Sequence, residues 1–155
     1  METRSPMPTY SDGAMPTSAE RFAVDTSVAV AALDSLHAAH ADCRSAVQRL
    51  LPGLAGHAAF ETYSVLTRMP GQLGVDAPTA AALIDRVFPI IHIIPADQAV
   101  GLIERFGTVG IAGGAVYDAL VAEAARVNDC TLLTRDQRAR RTYDLIGVKY
   151  TLVGV

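Results

Sequence analysis

Four acidic side chains stand where an acid should be costly, each beside an apolar run. Asp25 follows Phe22-Ala23-Val24 and Glu61 follows Ala58-Ala59-Phe60. Asp118 sits within Ala115-Val116-Tyr117-Asp118-Ala119-Leu120, and Asp136 follows Thr131-Leu132-Leu133-Thr134. A carboxylate pressed toward a buried element must find hydrogen-bond partners or a cation. Acids at the ends of separate elements point to one shared cation site, and an all-oxygen donor set suits Mg²⁺ or Mn²⁺. The chemistry this implies is that of a metal-dependent enzyme.

Each acid also has a purely structural use. Glu61 and Asp118 are expected in the first turns of helices, where the helix dipole stabilises an acid by about 0.3–1 kcal/mol without any metal. Asp25 before Thr26-Ser27, and Asp136 before Gln137, could serve as helix caps. Four unrelated caps on one side of a sheet would be a coincidence, so the joint reading favours a site.

That side is defined by the elements. Strand-like segments are read at 22–25, 54–58, 90–94, 131–134 and 148–153. Helix-like segments are read at 27–33, 37–51, 60–69, 78–87, from Pro95 to about Phe106, 115–127 and 137–143. Residues 60–69 place Phe60, Tyr63, Leu66 and Met69 roughly on one face. Pro70-Gly71 and Gly74 break the chain, and Gly107, Gly110, Gly113 and Gly114 read as a loop. Continuous apolar strands alternating with helices predict an α/β domain with a central parallel sheet of about five strands, covered by helices on both faces. Ligands of such sheets gather outside the carboxyl ends of the strands. Asp25 and Asp136 fall there, and the helices carrying Glu61 and Asp118 begin on the same side.

Composition narrows the classes. At 155 residues the chain supports one domain with a real core. Residues 1–20, with Pro6, Pro8, Gly13 and Pro16, read as a flexible tail without periodicity, leaving 21–155 as the domain. Met7 and Met15 offer later starts. No apolar run approaches the ~18–20 residues of a membrane span, no secretory signal is evident, and two cysteines make neither a disulfide framework nor a zinc spacing. A cytoplasmic setting is the expectation. The net charge of −3 argues against simple electrostatic binding of nucleic acid, but two divalent cations at the acids would turn it slightly positive. Arg135, Arg138, Arg140 and Arg141 crowd around Asp136. They read equally as a solvated face or as contacts to a phosphate backbone.

Other chemistries fail on spacing. A haloacid-dehalogenase-type site would need an acid at Ser27, two places after Asp25. The segment after the first strand, Asp25-Thr26-Ser27-Val28, lacks a dinucleotide glycine motif, and 110–114 lacks the Lys and Ser/Thr of a P-loop. A receiver-type phosphoacceptor would want a lysine near the end of the last strand, and Lys149 falls inside it. His37 and His40 share a helix face, but two further zinc ligands are missing. They are expected exposed or half-buried, whereas His57 and His92 are expected as core residues of apolar strands. Cys43 and Cys130 read as small hydrophobes.

Three segments in this order, 22–30 (FAVDTSVAV), 114–120 (GAVYDAL) and 131–136 (TLLTRD) followed by Arg141-Thr142-Tyr143, resemble a PIN-domain ribonuclease, most of all the VapC toxin of type II toxin–antitoxin systems. The likeness covers roughly 21–155. It implies that Asp25, Glu61, Asp118 and Asp136 hold Mg²⁺ or Mn²⁺, and that Thr134 is the hydroxyl residue two places before the last acid. Asp25 and Asp118 are then the principal ligands, with Asp136 and Glu61 completing the shell directly or through water. Thr26 and Ser27 either support them by hydrogen bonds or cap the helix. The resemblance further implies an RNA substrate, with the four arginines holding its backbone, a homodimer, and a cognate antitoxin that covers the groove. A non-catalytic PIN-like binding module and, with less support, a structure-specific DNA nuclease are the competing readings.

Overall fold

The computed structural model describes residues 19–69 and 74–155. The expected tail, apart from its last two residues, and the Pro70-Gly71 break lie outside the described residues. Five strands form one parallel sheet in the order β3-β2-β1-β4-β5. They are β1 (Arg21–Val24), β2 (Gly53–Ala55), β3 (Ile91–His92), β4 (Cys130–Thr134) and β5 (Tyr150–Leu152). The two longest strands, β1 and β4, pair at the centre, with Val24 opposite Leu133.

The helices are α1 (Thr26–Leu33), α2 (His40–Leu50), α3 (His57–Arg68), α4 (Ala77–Val87), α5 (Ala96–Ala99), α6 (Leu102–Val109), α7 (Ala115–Val127) and α8 (Arg140–Ile146). A 3₁₀ turn over Gln137–Ala139 leads into α8. Successive strand side chains alternate between two cores, as the pleat requires. Ala23, Ala55 and Leu132 pack with α6, α7 and α8, while Val24, Leu54 and Leu133 pack with α1, α2, α3 and α4. Each fully buried Val or Leu contributes roughly 1.5–3 kcal/mol, so both faces of the sheet are held by burial.

Several boundaries differ from the sequence reading for local reasons. The second strand ends at Ala55 because Gly56, at φ +50, turns the chain, and His57 opens α3 instead of extending the strand. The 90–94 run pairs only at Ile91–His92, since its sole neighbour is the three-residue β2. Gly101 (φ +87) splits the segment after Pro95 into α5 and α6, and α6 continues through Gly107. His37 Nδ1 accepts from the Ala39 N–H at 3.0 Å, a local turn that delays α2 until His40. The expected apolar face of α3 is also corrected. Leu66 is buried, but Phe60 and Tyr63 are exposed, and Ala58, Ala59 and Thr62 take the inward positions.

Candidate active site at the carboxyl end of the sheet

Asp25 is the first residue past β1. Its backbone N–H still donates to Leu133 O at 3.2 Å, while its side chain caps α1 by accepting from Val28 N–H at 3.0 Å. Capping and site-building therefore coincide in one residue. The same Oδ1 accepts from Ser27 Oγ at 2.6 Å. Oδ2 accepts a short hydrogen bond from Thr134 Oγ1 and another from Tyr143 OH at 3.2 Å. With four donors, this buried carboxylate has little acceptor capacity left over. Burial pushes its pKa up, and the bonds from Ser27, Thr134, Val28 and Tyr143 pull the other way.

The hydroxyls tie elements together. Thr134 Oγ1 also accepts from Asp136 N–H at 3.0 Å, and Ser27 Oγ accepts from Arg135 N–H at 2.8 Å. The chain leaving β4 is thus stitched to the start of α1. Thr26 Oγ1 donates to Glu61 Oε2 at 3.0 Å, linking α1 to α3. All three predicted supporting residues, Thr26, Ser27 and Thr134, touch an acid or its backbone. Asp136 caps the turn after β4 by accepting from Arg138 N–H at 2.9 Å.

Asp25, Glu61, Asp118 and Asp136 line one cleft of about 230 Å³, together with Thr26, Ser27 and Tyr143. Asp118 lies in the first turn of α7, as expected. Glu61 does not lie in a first turn. Because α3 begins at His57, Glu61 is one turn in, beyond the reach of the helix-end partial charge. Its structural alternative is thereby weakened. Asp118 is half-buried, and its pKa is raised by desolvation first, then by the negative charges of Asp136, Asp25 and Glu61, with Arg138 opposing. The cleft is short of positive charge. Burial, then Asp25, also pushes the Tyr143 hydroxyl upward, so it stays a protonated donor.

A hard divalent cation fits this donor set, which offers carboxylate oxygens and a field that favours cations. As the side chains stand, no three His, Cys, Asp or Glu residues among those described converge tightly enough to hold an ion. Uncompensated carboxylates repel one another, and the Asp25 oxygens already accept four hydrogen bonds.

Tyr143 went unassigned in the sequence reading. Its signal is faint: Ala139, Tyr143 and Ile146 repeat at helical spacing and are all buried, and a buried tyrosine hydroxyl needs a partner. The arginines divide. Arg135 donates to Gly154 O at 3.2 Å, and its Nε is buried without a partner. Arg138 is 95% exposed and stands 3.6 Å from Asp136. Arg140 approaches Tyr150 OH at 3.4 Å and is exposed, as is Arg141. His37 and His40 are half-buried, each engaged with backbone. His92 is buried in β3, but His57 is not a strand residue. It opens α3, and its ring stacks on Tyr117.

The PIN-domain family model matches residues 22–145, which span four of the five strands and all four acids. The chain belongs to the PIN-domain family. Within the family it is similar to Ribonuclease VapC27 of Mycobacterium tuberculosis (strain ATCC 25618 / H37Rv), at 44% identity over 127 residues, covering 82% of this chain and 93% of that protein. Ribonuclease VapC40 of Mycobacterium tuberculosis (strain CDC 1551 / Oshkosh) is 42% identical over 136 residues, covering 85% of this chain and 98% of the relative. These likenesses bear out the family read from the three motifs, and the parallel five-stranded sheet bears out the fold class. In this PIN domain Asp25 and Asp136 follow the central strands β1 and β4, while Glu61 and Asp118 come from α3 and α7. Among the described residues, no helix is long and apolar enough to cross a membrane.

Proposed function

We propose that this PIN domain is a metal-dependent endoribonuclease, the toxin of a toxin–antitoxin pair, with Asp25, Glu61, Asp118 and Asp136 as its catalytic acids. The observation that carries the reading is their meeting in one cleft, where Asp118 bears the field of the other three. Two relatives named ribonucleases, matched over nearly their whole lengths, support it.

Asp25 and Asp118 would be the principal ligands of Mg²⁺ or Mn²⁺, Asp25 by giving up a hydrogen bond, and Asp136 and Glu61 would complete the shell directly or through water. Bound there, the ion supplies Lewis-acid stabilisation of phosphate oxygens and lowers the pKa of a water nucleophile. The chain's own residues prepare that site. Ser27, Thr134 and Tyr143 fix the Asp25 carboxylate, Thr26 orients Glu61, and the Thr134 bond to Asp136 N–H sets the turn after β4. Arg138, Arg140 and Arg141 are exposed, Arg138 next to Asp136 itself, and they suit the RNA backbone, giving affinity and register without sequence choice. Arg135 is a weaker candidate, since its guanidinium is partly taken up by Gly154. A cognate antitoxin, a homodimer and a cytoplasmic setting follow from the family reading and are proposed on that ground.

Total cellular RNA incubated with the purified chain and Mg²⁺ or Mn²⁺ tests the reading. Discrete fragments are expected, absent with EDTA and absent for Asp118→Asn. Folded protein that neither cuts RNA nor binds metal would instead support a binding module, and cleavage of matched DNA in preference to RNA would support a DNA nuclease.

A further inference from the structure

Beside the acid cleft lies a second recess, of about 510 Å³, between α3 and the start of α7. It shares Glu61 and Asp118 with the cleft, so the two adjoin. Along α3 its wall is formed by His57, Phe60, Ser64 and Arg68, which with Glu61 form one helical stripe. From α7 comes Tyr117.

Phe60 is 70% exposed and Tyr117 56% exposed. A lone exposed aromatic is ordinary, but two in one recess, beside a reaction site, form a platform. His57 stacks on Tyr117 with ring centroids 5.1 Å apart and planes 24° off parallel, which holds the tyrosine ring in place in advance of any ligand. Gly114 adds a separate observation. Its backbone is helical (φ −62), and a Cβ there would meet no atom within 4 Å, so the fold itself does not demand glycine. A bare backbone at the rim leaves room for a flat ligand.

We propose that this recess is a base-stacking subsite, taking one unpaired base of the RNA next to the phosphate held at the acids. The proposal rests on the ribonuclease reading above and adds the position from which a base is read. With a cation held at Glu61 and Asp118 the phosphate is drawn to the acids, and the uncharged rings of Phe60 and Tyr117 are left for a neutral base, which offers a π face to stack on. Arg68 stands two turns beyond Glu61, roughly 10 Å along the helix axis, where it can meet a neighbouring phosphate. Ser64 and the His57 ring offer hydrogen-bonding atoms for a base edge.

The test uses single-stranded oligoribonucleotides carrying one 2-aminopurine, whose fluorescence falls on stacking. They are bound in Mg²⁺ to an Asp136→Asn background that leaves the recess intact. Quenching at one position is expected. Tyr117→Ala and Phe60→Ala should each remove it and weaken binding by about tenfold, while Tyr117→Phe retains both. Gly114→Leu, which fills the mouth without removing an aromatic, should do the same as Tyr117→Ala. Quenching and affinity unchanged in all three disruptive variants, with RNA cleavage by the parent chain intact, would overturn the subsite and leave the ribonuclease reading standing. Variants that bind RNA like the parent but lose a co-expressed protein partner would also overturn it, in favour of protein docking. A parent chain that neither binds nor cuts RNA would remove the ribonuclease reading, and the subsite with it.

Discussion

The Tyr143 hydroxyl donates to Asp25 Oδ2 at 3.2 Å across 118 residues of sequence, joining the helix after β4 to the turn after β1. The tyrosine is buried against Tyr150, with rings tilted at 58°, so its position is set by the core. Core packing is thereby transmitted to the carboxylate at the reaction site. Tyr143→Phe keeps the packing and removes one donor. A loss of roughly 1–3 kcal/mol in urea unfolding is expected from weakening the satisfaction of a buried acid. The loss should shrink when the same change is made in Asp25→Asn, and equal losses in both backgrounds would show that the contact does not stabilise the charge.

Asp118 carries the field of three other acids, so its neutralisation should separate activity from stability. Asp118→Asn is expected to reduce cleavage by at least about a hundredfold, in keeping with loss of a group that holds the metal. In EDTA the same variant should melt higher than the parent, because a repelled and desolvated charge is gone. A lower melting temperature in EDTA would contradict this electrostatic picture.

The metal-free chain should show opposing pH dependences. Asp25 and Asp118 have raised pKa values, so the unfolded chain gives up these protons at lower pH than the folded one. Stability from these groups falls as pH rises from the ordinary carboxylate range through their raised folded values. Glu123 is only 2% exposed and is lowered, first by its hydrogen bond to Arg126, with burial opposing and the charges of Arg126 and Arg105 assisting. Its stabilising effect is present above the ordinary carboxylate pKa and is lost as pH falls through its folded value. Chemical denaturation across pH should therefore give a weaker acid-side loss for Glu123→Gln, and a weaker decline toward neutrality for Asp118→Asn.

Arg105 bonds both Glu123 at 2.9 Å and Ile146 O at 3.0 Å, clamping α6 and α7 to the end of α8. Arg105→Met is expected to destabilise by about 1–3 kcal/mol, since it leaves part of a buried carboxylate and a carbonyl unsatisfied. Activity in stable conditions should change little, because neither Arg105 nor Glu123 nor Ile146 lines the acid cleft. Thermal melts alongside RNA cleavage decide the point.

Arg138, almost wholly exposed, should act on RNA through charge alone. Arg138→Ala should weaken binding to unrelated single strands by similar factors and lower the salt dependence by about one phosphate contact. A sequence-dependent effect would assign it a base contact instead.

Much of this was legible from the chain itself. Asp25 announces itself because an apolar strand and a helix cap meet at one acid. The 115–127 helix agrees at both ends because Gly114 precedes it and its apolar periodicity is unbroken. Motif order alone identified the family. The boundaries at 56 and 101 rest on glycines at positive φ, a conformation no local periodicity announces, and at Gly56 tertiary packing adds its own demand, since a Cβ there would come within 2.9 Å of Ala124 Cβ.

What the sequence determined, then, was local and periodic: which stretches are apolar, where acids interrupt them, and hence a parallel sheet with carboxylates at its exit edge. Tertiary structure alone decided that Tyr143 and Thr134 would share an oxygen of Asp25, that Glu61 would stand one turn inside α3, and that His57 would leave the sheet to stack on Tyr117. The place of Glu61 follows from the turn at Gly56, whereas the Asp25 and Tyr117 contacts depend on the distance between side chains far apart in sequence. That distance is set by how helices pack on the sheet, and no single segment encodes it.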